Sequence, residues 1–445
     1  MGRHKTMYRG PSLTADLGIA PGSRVSLTLG PLNEEGESVT LVDGAPFHVA
    51  GGIPGERAEV EVVRVFPERV ASRAVKVLTP SPDRVAAPCP YYLECTGCQL
   101  QHVTYERQLE FKRERVASEL AKWPQLAGAR VMPTLASPLT HGYRNHARFT
   151  VRKGGAGRKP EGRQPDSSPQ RGDVGYVNAV TRRFVKVEHC LLMDPRINAA
   201  LAAMQGRLQG MSQLSVRVGV NGTHKPEDHA HAQPVMPCGP GLLVQPKLAN
   251  PDVPLTSGQT HVDLEVLGRR FRVAGSSFFQ VNTAQLENVV RLLRKELGLT
   301  GRESLVDAYC GVGTFAILLA TYVRQATGIE DSTAAVEDAR ANAAGLGNVE
   351  FVLGRAEDIM PKLDAPVDVV ILDPPRAGCH PGTLDAVRRL RPRRVALVSC
   401  GPAALARDLA SLCKDTYALS SVYPVDMFPQ TRHVEAVAFL RLDGQ

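Results

Sequence analysis

A chain of 445 residues exceeds what one ordinary hydrophobic core can serve and implies two or three domains. With 43% hydrophobic and 22% charged residues it is neither disordered nor fibrous, and no run of about 18 apolar residues offers a membrane span. The net charge of +8 and a pI near 9.0 suit a polyanionic partner. The start, MGRHKTMYRG, is basic but leads into no apolar signal segment, so residues 1–16 read as a flexible tail and the cytoplasm as the expected compartment.

Residues 17–80 alternate apolar and polar positions in short runs (SRVSLTLG, SVTLVDG, RAEVEVVRV, SRAVKVL) between Gly, Pro and Asp turns, the pattern of a small OB-like β-barrel. Aromatic residues able to stack on bases are few, Phe47 and Phe66, so Arg64, Arg69, Arg73 and Lys76 are the expected contacts to a nucleic-acid backbone. With its turn at Gly52–Glu56, the segment resembles the TRAM domain of RNA-modifying enzymes.

Residues 81–268 form the expected central domain. Cys89, Cys95 and Cys98 place three thiols within ten residues, and Cys190 in VEHCLLMD is the best candidate for a fourth ligand. Tetrahedral zinc and a 4Fe-4S cluster both take four thiolates, and spacing does not separate them. Tyr105 to Lys122 reads as an amphipathic helix whose many charges form a solvated face. The alternation in GYRNHARFTVR predicts a strand presenting Arg144, His146, Arg148 and Arg152. Residues 153–172 read as a basic low-complexity insertion, and the stretch 222–260, with His224, His229 and His231, as a Pro-rich surface loop.

From residue 269 to 445 strands and helices alternate as in a doubly wound α/β domain. The first turn, Asp307-Ala-Tyr-Cys-Gly311-Val-Gly313, allows a ligand close to the backbone, and Glu330, 23 residues after Asp307, is placed to take ribose hydroxyls. These features also admit a dinucleotide-dependent oxidoreductase. Asp373-Pro-Pro at the end of the fourth strand favours a methyltransferase acting on a base, and Arg376 in place of an aromatic residue argues against methylation of an exocyclic amine. Cys400 lies between the apolar run Arg394–Ser399 and a helix opening at Pro402, a corner expected to favour thiolate over thiol. Before the last strand, Glu435 and His433 are both candidate bases.

Taken together, the four-cysteine region CPYYLECTGCQLQHVTYERQLEFKRERV and the motifs SFFQVN, DAYCGVGTF, GIE, LDPPRAG, VSC and DMFPQTRHVE resemble the RNA uracil-C5 methyltransferase family along nearly the whole chain. The resemblance is closest to its iron-sulfur, TRAM-containing members that methylate 23S ribosomal RNA. It implies a class I Rossmann-like methyltransferase domain, S-adenosyl-L-methionine as methyl donor, and a 4Fe-4S cluster on Cys89, Cys95, Cys98 and Cys190. It further implies Cys400 as nucleophile, Glu435 as general base, and Gln280, Tyr309, Gly311, Gly313, Thr314, Glu330 and Asp373 around cofactor and base. Ribosomal RNA is the favoured partner, transfer RNA the alternative, and no membrane or obligate protein partner is expected. Gly401, where the family usually has Asn or Asp, Thr314, where some members have Asn, and the lack of a clear match near Arg355 depart from the pattern. Gly401 and the basic segments also motivate a different reading, a non-catalytic RNA-binding protein that keeps the fold.

Overall fold

In the strand Ala45–Ala50 every second side chain, Ala45, Phe47 and Val49, is buried, so one face of an antiparallel-rich sheet seals a core while the other meets solvent. The computed structural model describes residues 12–153, 172–220, 241–249, 253–363 and 366–444. The beginning of the expected tail, the basic insertion at 154–171 and the histidines at 224, 229 and 231 lie outside the described residues. Two compact units are present: residues 1–108, 175–187 and 430–432 form one, and residues 109–174, 188–429 and 433–445 the other. Among the described residues no helix is long and apolar enough to cross a membrane.

The first unit contains a five-stranded sheet in the order Arg24–Thr28, Arg57–Phe66, Arg69–Thr79, Ala45–Ala50, Ser38–Val42. Leu27, Phe47, Val49, Val60, Val62 and Val70 close its core. The Gly52–Glu56 turn has a structural explanation. A Cβ on Gly52 would stand 2.4 Å from Leu29 Cδ1, so any larger residue would have to displace that buried side chain. The buried Glu56 carboxylate accepts the N–H groups of Ile53 (2.9 Å) and Ser81 (3.0 Å) and Arg84 Nη2 (2.6 Å).

In the second unit the strands His146–Lys153, Gln213–Val218 and Leu242–Gln245 pair antiparallel, and a hairpin joins His261–Val266 to Arg269–Ala274. A seven-stranded sheet follows. Its strands, numbered in chain order, are β1 (Ser304–Ala308), β2 (Gln325–Glu330), β3 (Val349–Leu353), β4 (Val369–Leu372), β5 (Arg394–Ser399), β6 (Tyr417–Val425) and β7 (Glu435–Leu442). They lie in the order 3-2-1-4-5-7-6, with β1 to β5 parallel and β7 antiparallel to both neighbours.

Because successive side chains point to opposite faces, this sheet carries two cores. Leu305, Ala326, Val369, Ile371 and Phe439 pack with Leu286, Val290, Ile317 and Val336, from the helices Thr283–Glu296, Thr314–Leu319 and Thr333–Asn342. On the other face Val306, Val370, Leu397 and Leu440 pack with Leu384, Val387, Leu405 and Leu409, from the helices Pro381–Leu390 and Pro402–Leu412. Burial on both faces is why the central strands read as continuous apolar runs. The doubly wound expectation therefore corresponds to the observed sheet, with β6 an additional strand. β6 carries Ser420, Ser421 and Pro424, and its place at the sheet edge tolerates a residue without an N–H.

Candidate active site

The C-terminal ends of β1, β2, β4 and β5 form one edge of the sheet, and β7, running the other way, begins there. Ser399 of β5 pairs with Ala436 of β7, so one step further along this ladder Cys400 stands opposite Glu435. On its other side Glu435 pairs with Val425 of β6. Leu372 pairs with Leu397 and with Ala308, which sets Asp373 beyond the end of β4 between Tyr309 and Val398; the Asp373 N–H donates to the Ala308 carbonyl at 3.3 Å. A thiol and two carboxyl groups so converge from three strands.

The turn after β1 is tight. Tyr309, Gly311 and Gly313 have φ of 66°, 55° and 84°, and a Cβ on Gly313 would meet the Phe351 ring at 2.6 Å. Asp307 Oδ2 accepts the Ala316 N–H at 2.9 Å and so caps the helix Thr314–Leu319, which Thr314 opens. Glu330 accepts N–H groups from Gly311 (3.0 Å) and Ser332 (2.9 Å), binding the end of β2 to this turn. The Tyr309 hydroxyl pairs with Thr383 Oγ1 at 2.9 Å. Gln280 precedes the helix Thr283–Glu296, and its carbonyl accepts from Asn145 Nδ2 at 3.0 Å. Two buried acceptors, Gln280 Oε1 and Asp307 Oδ1, have no hydrogen-bond partner among the described residues.

The electrostatics are those of crowded acids. Burial, then the nearby Asp373, raise Glu435 to about 8, against a smaller lowering by Arg376. Burial raises Asp373 to about 7. Burial, with the charges of Asp373 and Glu330, raises Asp307 to about 8 despite the Ala316 N–H. Glu330 is also raised, first by burial, against its two backbone donors.

Cys400 corrects the expectation of a thiolate. Its pKa is raised, by burial first and then by Glu435 and Asp373, and Arg376 offsets this only in part. The helix start contributes little, since Pro402 at its first position has no N–H and the Gly401 N–H is committed to Ser399 Oγ at 3.2 Å. Cys400 is nevertheless the accessible thiol of this edge. Cys310 and Cys379 are only 6% exposed each, and burial pushes both thiols up further. Gly401 leaves the corner intact: its φ is −135°, its carbonyl accepts the Leu405 N–H at 2.9 Å, and a Cβ would make ordinary contacts, the nearest 3.5 Å from the Arg376 carbonyl.

The expected four-cysteine metal centre is not supported among the described residues. Cys89, Cys95 and Cys98 lie in a turn-rich segment of the first unit, where Leu93 and Thr96 take φ of 68° and 58°, and Cys190 belongs to the second unit. Among the described residues no group of three or more His, Cys, Asp or Glu side chains is arranged to hold a metal ion. No step of the chemistry is routed through a 4Fe-4S cluster.

Two buried residues escaped the reading of the sequence. Lys112 is fully buried, although the charges of its helix were expected on a solvated face. Its spacing with Val116 and Leu120, four residues apart on the buried stripe, is the signal that identifies it. Its partner Asp426, also fully buried, follows the overlooked strand β6.

Residues 299–429 match the model of a methyltransferase domain. An uncharacterized RNA methyltransferase of Thermosynechococcus vestitus is 35% identical over 94% of this chain and 98% of its own length, and one of Gloeobacter violaceus is 34% identical over 95% and 97%. The fold is similar to the crystal structure of a Pyrococcus abyssi tRNA (uracil-54, C5)-methyltransferase in complex with S-adenosyl-L-homocysteine. The TM-score is 0.67 at 24% identity, covering 94% of this chain and 100% of that one. A Rossmann-like sheet in the order 3-2-1-4-5-7-6 and likeness to these relatives along almost the entire chain place the protein in the RNA methyltransferase family.

Proposed function

We propose that this enzyme methylates C5 of uridine in RNA, using Cys400 as nucleophile, Glu435 as general base and S-adenosyl-L-methionine as methyl donor. The observation that carries the reading is the placement of Cys400 opposite Glu435 at the open edge of the sheet, with Asp373 beside them. Uracil C5 is a weak carbon nucleophile, and a thiolate added to C6 makes it an enolate. The S–C6 bond forms as the C5–C6 π pair moves toward O4. C5 then takes the methyl group from the sulfonium. Glu435 removes the remaining C5 proton, and the released pair re-forms the double bond and expels Cys400 from C6. Both carboxylate and thiolate must therefore be available in one cycle, and Arg376 is the cation that favours both.

The residues present suit a cationic donor. Asp307, Glu330 and Asp373 bring carboxyl groups to the ends of β1, β2 and β4, whose ionised forms a bound cation would favour, and buried Asp307 Oδ1 and Gln280 Oε1 offer unused acceptors. When bound, S-adenosyl-L-methionine supplies an electrophilic methyl group, and the Pyrococcus abyssi protein of like fold was crystallised with the corresponding product. Tyr309, Gly311, Gly313, Thr314 and Glu330 would hold it, and Gln280 and Asp373 would meet donor and base. The favoured substrate is 23S ribosomal RNA, on the resemblance of the first segment to a TRAM domain and on the cysteine spacing; transfer RNA is the alternative. Incubation with labelled S-adenosyl-L-methionine and total RNA from a strain lacking the gene tests this. Label is expected in 5-methyluridine of 23S RNA. Label in transfer RNA alone would move the substrate, and label in another nucleoside would overturn the C5 reading.

The 4Fe-4S reading rests on the resemblance of the region holding Cys89, Cys95 and Cys98, with Cys190, to the iron-sulfur members of the uracil-C5 family. Anaerobic purification tests it: about four irons per chain are expected of such a cluster, and iron-free, fully active protein would end that reading.

A further inference from the structure

Beneath the strand that starts at Glu435 lies a buried polar network with no part in the chemistry as written. Lys112 and Asp426 form an ion pair in which both side chains have no solvent exposure. Lys112 Nζ also donates to the Phe428 carbonyl at 3.0 Å. The next carbonyl inward, that of Met427, accepts from Asn282 Nδ2 at 3.2 Å. Asn282 is itself fully buried, donates to Ser137 Oγ at 3.0 Å, and caps the helix Thr283–Glu296 two residues after Gln280. The Asp426 N–H donates to the Leu135 carbonyl at 3.0 Å. Side chains from one helix and one cap thus hold three successive residues, Asp426, Met427 and Phe428, of a segment without regular structure.

The position of that segment gives the network its meaning. Val425, the residue before Asp426, is the ladder partner of Glu435. Burying an ion pair is expensive compared with apolar packing, so such a pair is retained more readily for the geometry it fixes than for stability. Here the fixed geometry belongs to the neighbour of the proposed base.

We propose that Lys112 and Asp426, with Asn282, are positioning residues that hold Glu435 in register for removal of the C5 proton, and so act on release of the covalent adduct rather than on its formation. This rests on the C5 reading above. Cys400 is anchored differently, by β5 and the helix at Pro402, so the two halves of the reaction depend on different supports.

The test separates the halves. In single turnover with unmodified substrate RNA and S-adenosyl-L-methionine, the neutral pair K112Q/D426N is expected to form the adduct within threefold of the wild-type rate and to release it at least tenfold more slowly. The RNA KM should be unchanged, kcat should fall, and a denaturation-resistant complex should accumulate. Lys112→Arg, which keeps the charge, is expected to restore release at least in part, and it poses the same question should the neutral pair fail to fold. Equal loss in formation and release, or unchanged release in soluble K112Q/D426N, overturns the proposal. Glu435→Gln is the reference: if it too accumulates no adduct, the fault lies with the C5 reading and not with the network.

Discussion

Two buried glutamates answer the same environment in opposite ways. At Glu56 burial raises the carboxyl, but Arg84 and the N–H groups of Ser81 and Ile53 outweigh it and hold the group below its ordinary range. At Glu435 burial also comes first, Asp373 adds to it, and only Arg376 opposes, so the group rises to about 8. One carboxylate has every oxygen engaged by donors and serves as a staple of its turn. The other is kept short of donors and retains the basicity that the proposed proton transfer would use. Burial alone does not mark a functional acid; the balance of partners does.

Breaking the second glutamate has the larger effect on activity. Glu435→Gln is expected to lower turnover by about 10²–10⁴-fold, as loss of a general base does, while the covalent adduct persists. Turnover with rapid quench and denaturing electrophoresis measures both. The pH dependence sharpens the contrast. Activity of the wild type should rise with pH toward about 8, as Glu435 loses its proton. For stability the sign is reversed: the folded state keeps the Glu435 proton above the unfolded pKa, so this group costs stability as pH climbs from about 4.5 through 8. Glu435→Gln should therefore flatten that decline in a series of chemical-denaturation curves. Glu56, with its lowered pKa, contributes stability above its unfolded value and loses it as pH falls through the folded one.

Breaking the first glutamate tests the staple. Glu56→Gln removes the ion pair to Arg84 and is expected to cost about 2–4 kcal/mol in the transition that reports the first unit, without moving the rise of activity toward pH about 8. The smallest effect is expected at Gly401. The backbone there is extended and a Cβ makes only ordinary contacts, so Gly401→Asn should shift stability by a few tenths of a kcal/mol and leave turnover within about twofold.

The central strands β4 and β5 were legible because they are buried on both faces and read as uninterrupted apolar runs, VDVVILD and RVALVS. β6 was not, since Ser420, Ser421 and Pro424 interrupt its apolar pattern, and beyond β7 it is met only by isolated bridges from Val131 and Leu135. The identity of Cys400 and Glu435 as candidates came from motif; their apposition came from an antiparallel register that no local pattern specifies. The protonation of Cys400 was misjudged for a related reason. A strand-to-helix corner predicts a favourable dipole, whereas the carboxylates that oppose it arrive from β4 and β7, distant in sequence. Lys112 was misassigned because a basic helix hides a single cation on its apolar stripe.

Covalent trapping on RNA carrying 5-fluorouridine tests most directly whether Cys400 attacks the base. Fluorine at C5 leaves no proton for Glu435 to remove, so the cycle halts after methyl transfer with Cys400 still bonded to C6. With S-adenosyl-L-methionine present, wild-type protein is expected to form a complex that survives denaturation, and peptide mapping should find the RNA on Cys400. Cys400→Ala should form none. A wild-type protein that binds this RNA and S-adenosyl-L-methionine yet traps nothing, or a Cys400→Ala protein that still traps, would contradict the assignment.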